Sequence, residues 1–236
     1  CIRDSYWTIR EIYEQPKTIE NALHQNSRIQ DSTINLDTIS PYSEILLQKD
    51  ILILIGCGSS FHVALIGKKL ASIFHPNCHF KYIFSFDGSD FKFEDIPLYG
   101  NPVVVLISQS GETKDLYNSL LMFKKNNIFT IGIINIVDSL IAREVDCSIY
   151  CNAKREIGVA STKAFTSQIV CLSLLLAWFH QSKPEHNETI PLFLNDLKDL
   201  SSSFETYIPL CHSDIKNILS FFTGNHIFLL GKDCDE

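Results

Sequence analysis

At 236 residues, 45% of them hydrophobic, the chain is long enough to bury one good core or slightly more. A formal net charge of −7 without any basic block argues against a nucleic-acid surface, although local backbone dipoles let an acidic protein hold a phosphate. No apolar run reaches membrane-spanning length and no charged-then-apolar leader starts the chain; the eight cysteines form no CxxC pair and read as reduced thiols of a cytoplasmic protein.

Thr8 to Gln25 carries Ile9, Ile12, Tyr13, Ile19 and Leu23 at broadly helical spacing, with Pro16 at a break or at the first turn of a second helix. Residues 26–40 are rich in Ser, Thr, Asn and Asp and read as a loop, and Tyr42 to Gln48 as a short helix. Ile51 to Ile55 is the clearest strand; the loop Gly56-Cys57-Gly58-Ser59-Ser60 follows, then helical spacing from Phe61 to Phe74. Cys78 to Phe86 alternates as a strand, Asp87 to Asp90 marks a turn, and residues 91–101 form a loop or short helix. Pro102 to Ile107, with three valines, reads as a buried strand, and Lys114 to Phe123 as a helix. Phe129 to Ile134 is the next strand, Leu140 to Glu144 one helical turn, and Cys147 to Tyr150 a short strand. This repeated βαβ order predicts an α/β fold, a parallel sheet with helices on both faces and a ligand beyond the carboxyl ends of its strands. After the small, mixed residues 152–166 come an apolar helix from Ser167 to His180, a surface loop to Thr189, and two helices, Leu192 to Tyr207 and Ile208 to Phe222. Gly224-Asn225 is a turn, and His226 to Gly231 a strand whose glycine ending repeats that of Ile51–Gly56 and suggests a second copy. The chain begins with Cys1 rather than Met and stops just after this strand, so a fragment cut at both sides is expected.

The chemistry concentrates in Ser108-Gln109-Ser110-Gly111-Glu112-Thr113, which joins a strand's carboxyl end to a helix's first turn. Such a turn has unpaired N–H groups and the positive end of the helix dipole. A polar N-cap alone needs one hydroxyl; three hydroxyls, an amide and a glycine suit a phosphate. The loop at 56–60 repeats the device. It is not a dinucleotide fingerprint, because Phe61 stands where the third glycine is required, and a hydroxyl-lined sugar or phosphate loop fits better. Cys57 reads as a small packed cysteine rather than a nucleophile, and Cys1 as a cut end. The scattered histidines offer no metal site, and no cofactor is expected. Glu156 and Lys163 read as a surface ion pair beside a helix cap, and Val159 and Ser161 as backbone and hydroxyl contacts to the ligand.

Arg10-Glu11-Ile12-Tyr13-Glu14-Gln15-Pro16, the 56–60 loop, Ile107 to Thr113, and Glu156 to Thr166 occur in an order and spacing that resembles the glucosamine-6-phosphate synthases, the isomerising glutamine–fructose-6-phosphate aminotransferases. The Ser-Gln-Ser-Gly-Glu-Thr piece is typical of sugar isomerase (SIS) domains generally. Asp90 stands where that family usually has Glu, and Gly231-Lys232-Asp233 where it has Gly-Arg-Gly. The resemblance implies a three-layer, doubly wound, flavodoxin-like SIS domain with N- and C-terminal helices. It implies a linker with helices over 1–45, the first SIS sugar-phosphate-binding domain over 46–190, connecting helices over 191–222 and the start of a second SIS domain over 223–236. Carried over by motif, Ser108, Gln109, Ser110 and Thr113 would hold the phosphate of fructose 6-phosphate, and Ser59, Ser60, Val159 and Ser161 the sugar or the phosphate edge. The implied partners are a glutaminase domain and a second SIS domain of the same chain, and further copies in a homo-oligomer. The family's acid–base residues would lie in that second SIS domain, so no catalytic residue is expected here. Alternatives are a non-catalytic SIS sugar-phosphate sensor and another SIS isomerase or deglycase.

Overall fold

The structure, a computed structural model, describes residues 6–25, 27–96, 99–181, 183–186, 188–224 and 226. Ahead of the main sheet come α1 (Trp7–Ala22), a hairpin of β1 (Ile29–Gln30) and β2 (Thr33–Ile34), and α2 (Ser43–Leu46). α1 does not break at Pro16. A proline has no N–H, so the Ile12 carbonyl loses its intrahelical partner; Gln15 Nε2 donates to that carbonyl at 3.1 Å instead. Pro16 is buried, and its own carbonyl accepts the Ser201 hydroxyl at 3.0 Å. The expected loop over 26–40 contains the hairpin. Asp31 and Ser32 take the positive φ values, 44° and 64°, of a two-residue turn more often signalled by Asn-Gly.

Then follow β3 (Ile51–Gly56), α3 (Ser59–Leu70), β4 (Tyr82–Asp87), β5 (Pro102–Ser108), α4 (Lys114–Lys125), β6 (Phe129–Ile134), α5 (Leu140–Glu144), β7 (Cys147–Tyr150), α6 (Lys163–His180) and α7 (Thr189–Ile218). The five strands form one sheet in the order β4-β3-β5-β6-β7, and every neighbouring pair is parallel. Leu52, Leu54, Val103, Val105, Ile131 and Ile133 pack on one face with Val63 and Ala64 of α3, Ile19 of α1 and Val170 of α6. Ile51, Ile53, Ile55, Val104 and Leu106 pack on the other with Leu116, Leu120 and Phe123 of α4 and Ile141 of α5. Helices thus cover both faces of a parallel sheet, the three-layer α/β architecture expected, and this is why its strands read as unbroken apolar runs.

Boundaries differ from the sequence reading at several elements, and the helix expected from Phe61 begins at Ser59. The strand expected from Cys78 begins at Tyr82. The apolar helix expected from Ser167 begins at Lys163 and is, against expectation, long and apolar enough to cross a membrane; 83% of it is buried inside this fold. A helix enclosed on all sides is apolar all round. The two helices expected from Leu192 to Phe222 are one 30-residue α7 that passes through Pro209. Pro209 and Glu205, whose carbonyl loses its partner there, both lie on the exposed part of the helix. The first half of α7 buries Ile190, Leu194 and Leu197, while the second half exposes Tyr207, Leu210, Ile215 and Ile218. Of the expected strand from His226, residues 227–231 lie outside the described residues.

Candidate functional site

β3 and β5 are neighbours, yet the chain leaves β3 for one face as α3 and leaves β5 for the other as α4. Their carboxyl ends therefore open a crevice at the point where the winding reverses. A cavity of about 190 Å³ lies there, lined by Cys57, Ser59, Ser60, Ile107, Ser108, Gln109, Ser110, Thr113 and Ser161. Seven of the eight residues expected at the site share this cavity. The eighth, Val159, is on the loop that carries Ser161 but is fully exposed and does not line it.

Both loops are shaped by glycine. Gly58 (φ 57°) turns the chain from β3 into α3, so that Ser59 and Ser60 are the first two residues of that helix. Gly111 (φ 67°) turns the second loop, a conformation that side chains resist. Its N–H donates to Ser108 Oγ at 2.9 Å, and its carbonyl accepts the Ile141 N–H at 2.9 Å. Glu112 Oε1 accepts the Leu140 N–H at 2.8 Å, so the acid of this motif anchors the loop to α5 and leaves the cavity to its neighbours. The Ser110 hydroxyl accepts the Glu112 N–H at 3.1 Å. Thr113 is the N-cap of α4, and no side chain caps the start of either α3 or α4. Two helix N-termini without a side-chain cap thus border one cavity; in α3 the Ser60 and Phe61 N–H groups turn back to the Cys57 and Gly58 carbonyls at 3.2 and 3.0 Å, and the aligned dipoles of both helices favour an anion.

The third wall, residues 155–162, is held by two carboxylates. Glu156 Oε1 accepts the N–H groups of Thr162 at 2.8 Å and Ala164 at 3.2 Å, capping α6, and Oε2 accepts the Ser161 hydroxyl at 2.9 Å. Glu11 of α1 is 1% exposed and accepts the N–H groups of Ile157 and Gly158, 146 and 147 residues away. The expected Glu156–Lys163 surface pair is corrected on both counts. Lys163 is buried, and its Nζ donates to Glu14 Oε2 of α1 at 2.7 Å. Burial works against the Glu14 charge, but the bonds from Lys163 and Arg10 outweigh it and keep the carboxyl below its usual range. Glu11 and Glu14 lie in a segment the sequence singled out, but no local pattern shows that their partners are so far along the chain. Among the lining side chains only Cys57 titrates. Burial, then Asp87 and Asp115, push its thiol up, so it is a poor nucleophile at neutral pH.

Residues 45–177 match the SIS domain family. A probable glutamine–fructose-6-phosphate aminotransferase (isomerizing) of Acanthamoeba polyphaga mimivirus is 39% identical over 228 residues, 96% of this chain and 36% of that relative. The corresponding enzyme 1 of Rattus norvegicus is 36% identical over 194 residues, 81% of this chain and 28% of that relative. The C-terminal domain of glucosamine-fructose-6-phosphate aminotransferase from Francisella tularensis superposes with a TM-score of 0.83 at 28% identity, covering 94% of this chain and 60% of that one. The chain spans about a third of the length of the curated relatives it matches. With the matched segment covering the whole parallel sheet and the serine-rich loops at its switch point, the chain belongs to the SIS domain family.

Proposed function

We propose that this chain is the first sugar-phosphate-binding SIS unit of a glucosamine-6-phosphate synthase, with fructose 6-phosphate as its ligand. In that reading residues 46–190 form the unit, 1–45 link it to a glutaminase domain, 191–222 connect it onward, and 223–236 open a second SIS domain. The observation that carries it is the cavity at the β3/β5 switch point, where Ser59, Ser108, Gln109, Ser110 and Thr113 meet two uncapped helix starts. The phosphate takes the loop at 108–113 and the helix dipoles; Ser59, Ser60 and Ser161 take the sugar or the phosphate edge, with the Val159 backbone at the outer side. Relatives with this chemistry are named among the proteins it resembles.

The unit binds and orients; it does not supply acid or base. The cavity offers hydroxyls, an amide and one thiol held protonated. Ammonia transfer to the sugar and isomerisation to glucosamine 6-phosphate therefore fall to further domains of the full-length chain. The apolar groove of about 530 Å³ between α1 and the second half of α7, lined by Ile9, Ile12, Tyr13, Tyr207, Ile208 and Ile215, is the face we assign to such a domain. The described cysteines are free thiols, which suits a cytoplasmic protein, and the full-length enzyme is expected to be a homo-oligomer.

The test is a calorimetric titration of the 236-residue chain with fructose 6-phosphate. Ser110→Ala and Thr113→Ala should each weaken binding by about tenfold or more, the worth of one charge-assisted hydrogen bond. Binding that ignores both substitutions, or no binding by the unsubstituted chain, overturns the reading.

A further inference from the structure

Two hydroxyls that line the cavity are tied inward. Ser161 gives its proton to Glu156 Oε2 at 2.9 Å. Ser60, 8% exposed, gives its proton to Gln168 Oε1 at 3.2 Å. A hydroxyl has one proton and two lone pairs, so in this arrangement both serines face a ligand as acceptors only. A phosphate oxygen needs donors. Ser108 differs, because its Oγ accepts from Gly111 and its proton stays free.

The two inward partners are chemically unlike. A carboxylate only accepts, so Ser161 stays an acceptor, suited to a sugar hydroxyl. A carboxamide carries an acceptor on one side and a donor on the other. Gln168 lies on the second turn of α6, 1% exposed, and its Nε2 is buried without a hydrogen-bond partner. An unpaired buried donor beside a binding cavity is a costly arrangement that a fold seldom keeps without use. Turned over, the same amide donates Nε2–H to Ser60 Oγ. The donor is then paired, Oε1 takes the unpartnered position in its place, and the Ser60 proton is released toward the cavity.

We propose that Gln168 is a positioning residue for the sugar-phosphate site, its amide setting whether Ser60 meets the ligand as an acceptor or as a donor, with the donor state accompanying the bound anion. This rests on the reading of the cavity above. A carboxylate at 168 would trap the Ser60 proton, whereas a methionine would neither trap it nor hold it.

Fructose 6-phosphate titrated into the 236-residue chain tests this through Gln168→Glu, Gln168→Met, Ser60→Ala and the Ser60→Ala/Gln168→Glu pair. At pH 8, Gln168→Glu is expected to weaken binding by about tenfold or more, and Gln168→Met to stay within about threefold of the unsubstituted chain. As pH falls, the buried carboxyl that Gln168→Glu introduces takes up a proton and regains a donor. The deficit of that variant, taken as a ratio to the unsubstituted chain at each pH, should therefore shrink, and the double variant should show no such recovery. A structural role alone would make Glu and Met similarly damaging and the ratio independent of pH; either result overturns the proposal. Should Gln168→Glu not fold, Ser60→Ala must weaken binding about tenfold while Gln168→Met does not, and a neutral Ser60→Ala overturns it. If Ser110→Ala and Thr113→Ala weaken binding while position 168 is indifferent, this inference falls and the site stands. If the unsubstituted chain binds nothing, both fall.

Discussion

Acidification should destabilise this fold through His180, well before its carboxylates matter. The imidazole is fully buried at the end of α6 and stacks on Phe74 with ring centroids 4.0 Å apart. Its Nε2 accepts the His79 N–H at 2.8 Å, which leaves the proton on Nδ1 to donate to the Leu176 carbonyl at 2.6 Å. A second proton would set a new N–H against the His79 N–H. Burial, with His186, His79 and Lys183 nearby, pushes the pKa down to about 4. The unfolded chain takes up this proton near pH 6.5, so between about 6.5 and 4 the unfolded state binds more protons and stability is lost as pH falls. The whole gap is worth about 3 kcal/mol at roughly 1.36 kcal/mol per pH unit, and about 2 kcal/mol of it is gone by pH 5. His79, lowered by burial and by Lys183, adds in the same direction. Urea unfolding at pH 7.5 and pH 5, with the slope m checked for constancy, measures the loss. His180→Phe keeps the stacking volume but cannot titrate. It should be less stable at pH 7.5, for the His79 N–H loses its acceptor, and flatter with pH. A loss below about 1 kcal/mol in the unsubstituted chain, or an equal loss in the variant, would refute the reasoning.

Gly111→Ala puts a Cβ against Ser139 Oγ on a residue with φ 67°, so it should cost more than about 2 kcal/mol in thermal unfolding and abolish sugar-phosphate binding; a silent variant would show that the loop is not held as described. Glu11→Ala leaves the Ile157 and Gly158 N–H groups without their acceptor. Hydrogen exchange at those two amides should quicken, with a stability loss of about 2–3 kcal/mol, and unchanged exchange would count against the tie. Iodoacetamide at pH 7.5 should label exposed Cys211 ahead of Cys57 and Cys147, whose thiols burial pushes up, the latter to about 12; prior labelling of either would contradict their burial.

The central sheet was legible because each strand is buried on both faces, and an unbroken apolar run such as Ile51–Ile55 admits few other readings. The switch-point cavity was legible because glycine and hydroxyls cluster where strand turns to helix at 56–60 and 108–113. What escaped depends on partners far along the chain. Pro16 and Pro209 look like breaks to any local rule, but one orphaned carbonyl is met by Gln15 and the other lies on an exposed stretch of α7. Lys163 suggests a neighbour seven residues back and finds Glu14 across the fold. Gln168 sits unremarked in an apolar helix, and only its contact with Ser60 gives it meaning.

The fastening of residues 155–162 to α1 has a mechanical consequence. The backbone that presents Ser161 hangs from a carboxylate near the front of the chain, and the Lys163–Glu14 pair braces the same junction. α1 thus meets one wall of the cavity through these two ties. Packed interiors pass on displacement instead of absorbing it, so a shift of that helix by a fraction of its rise moves one side of the cavity while the two glycine loops stay with the sheet. A displacement of the wall that carries Ser161 therefore bears on the leading helix, and a displacement of that helix bears on the wall.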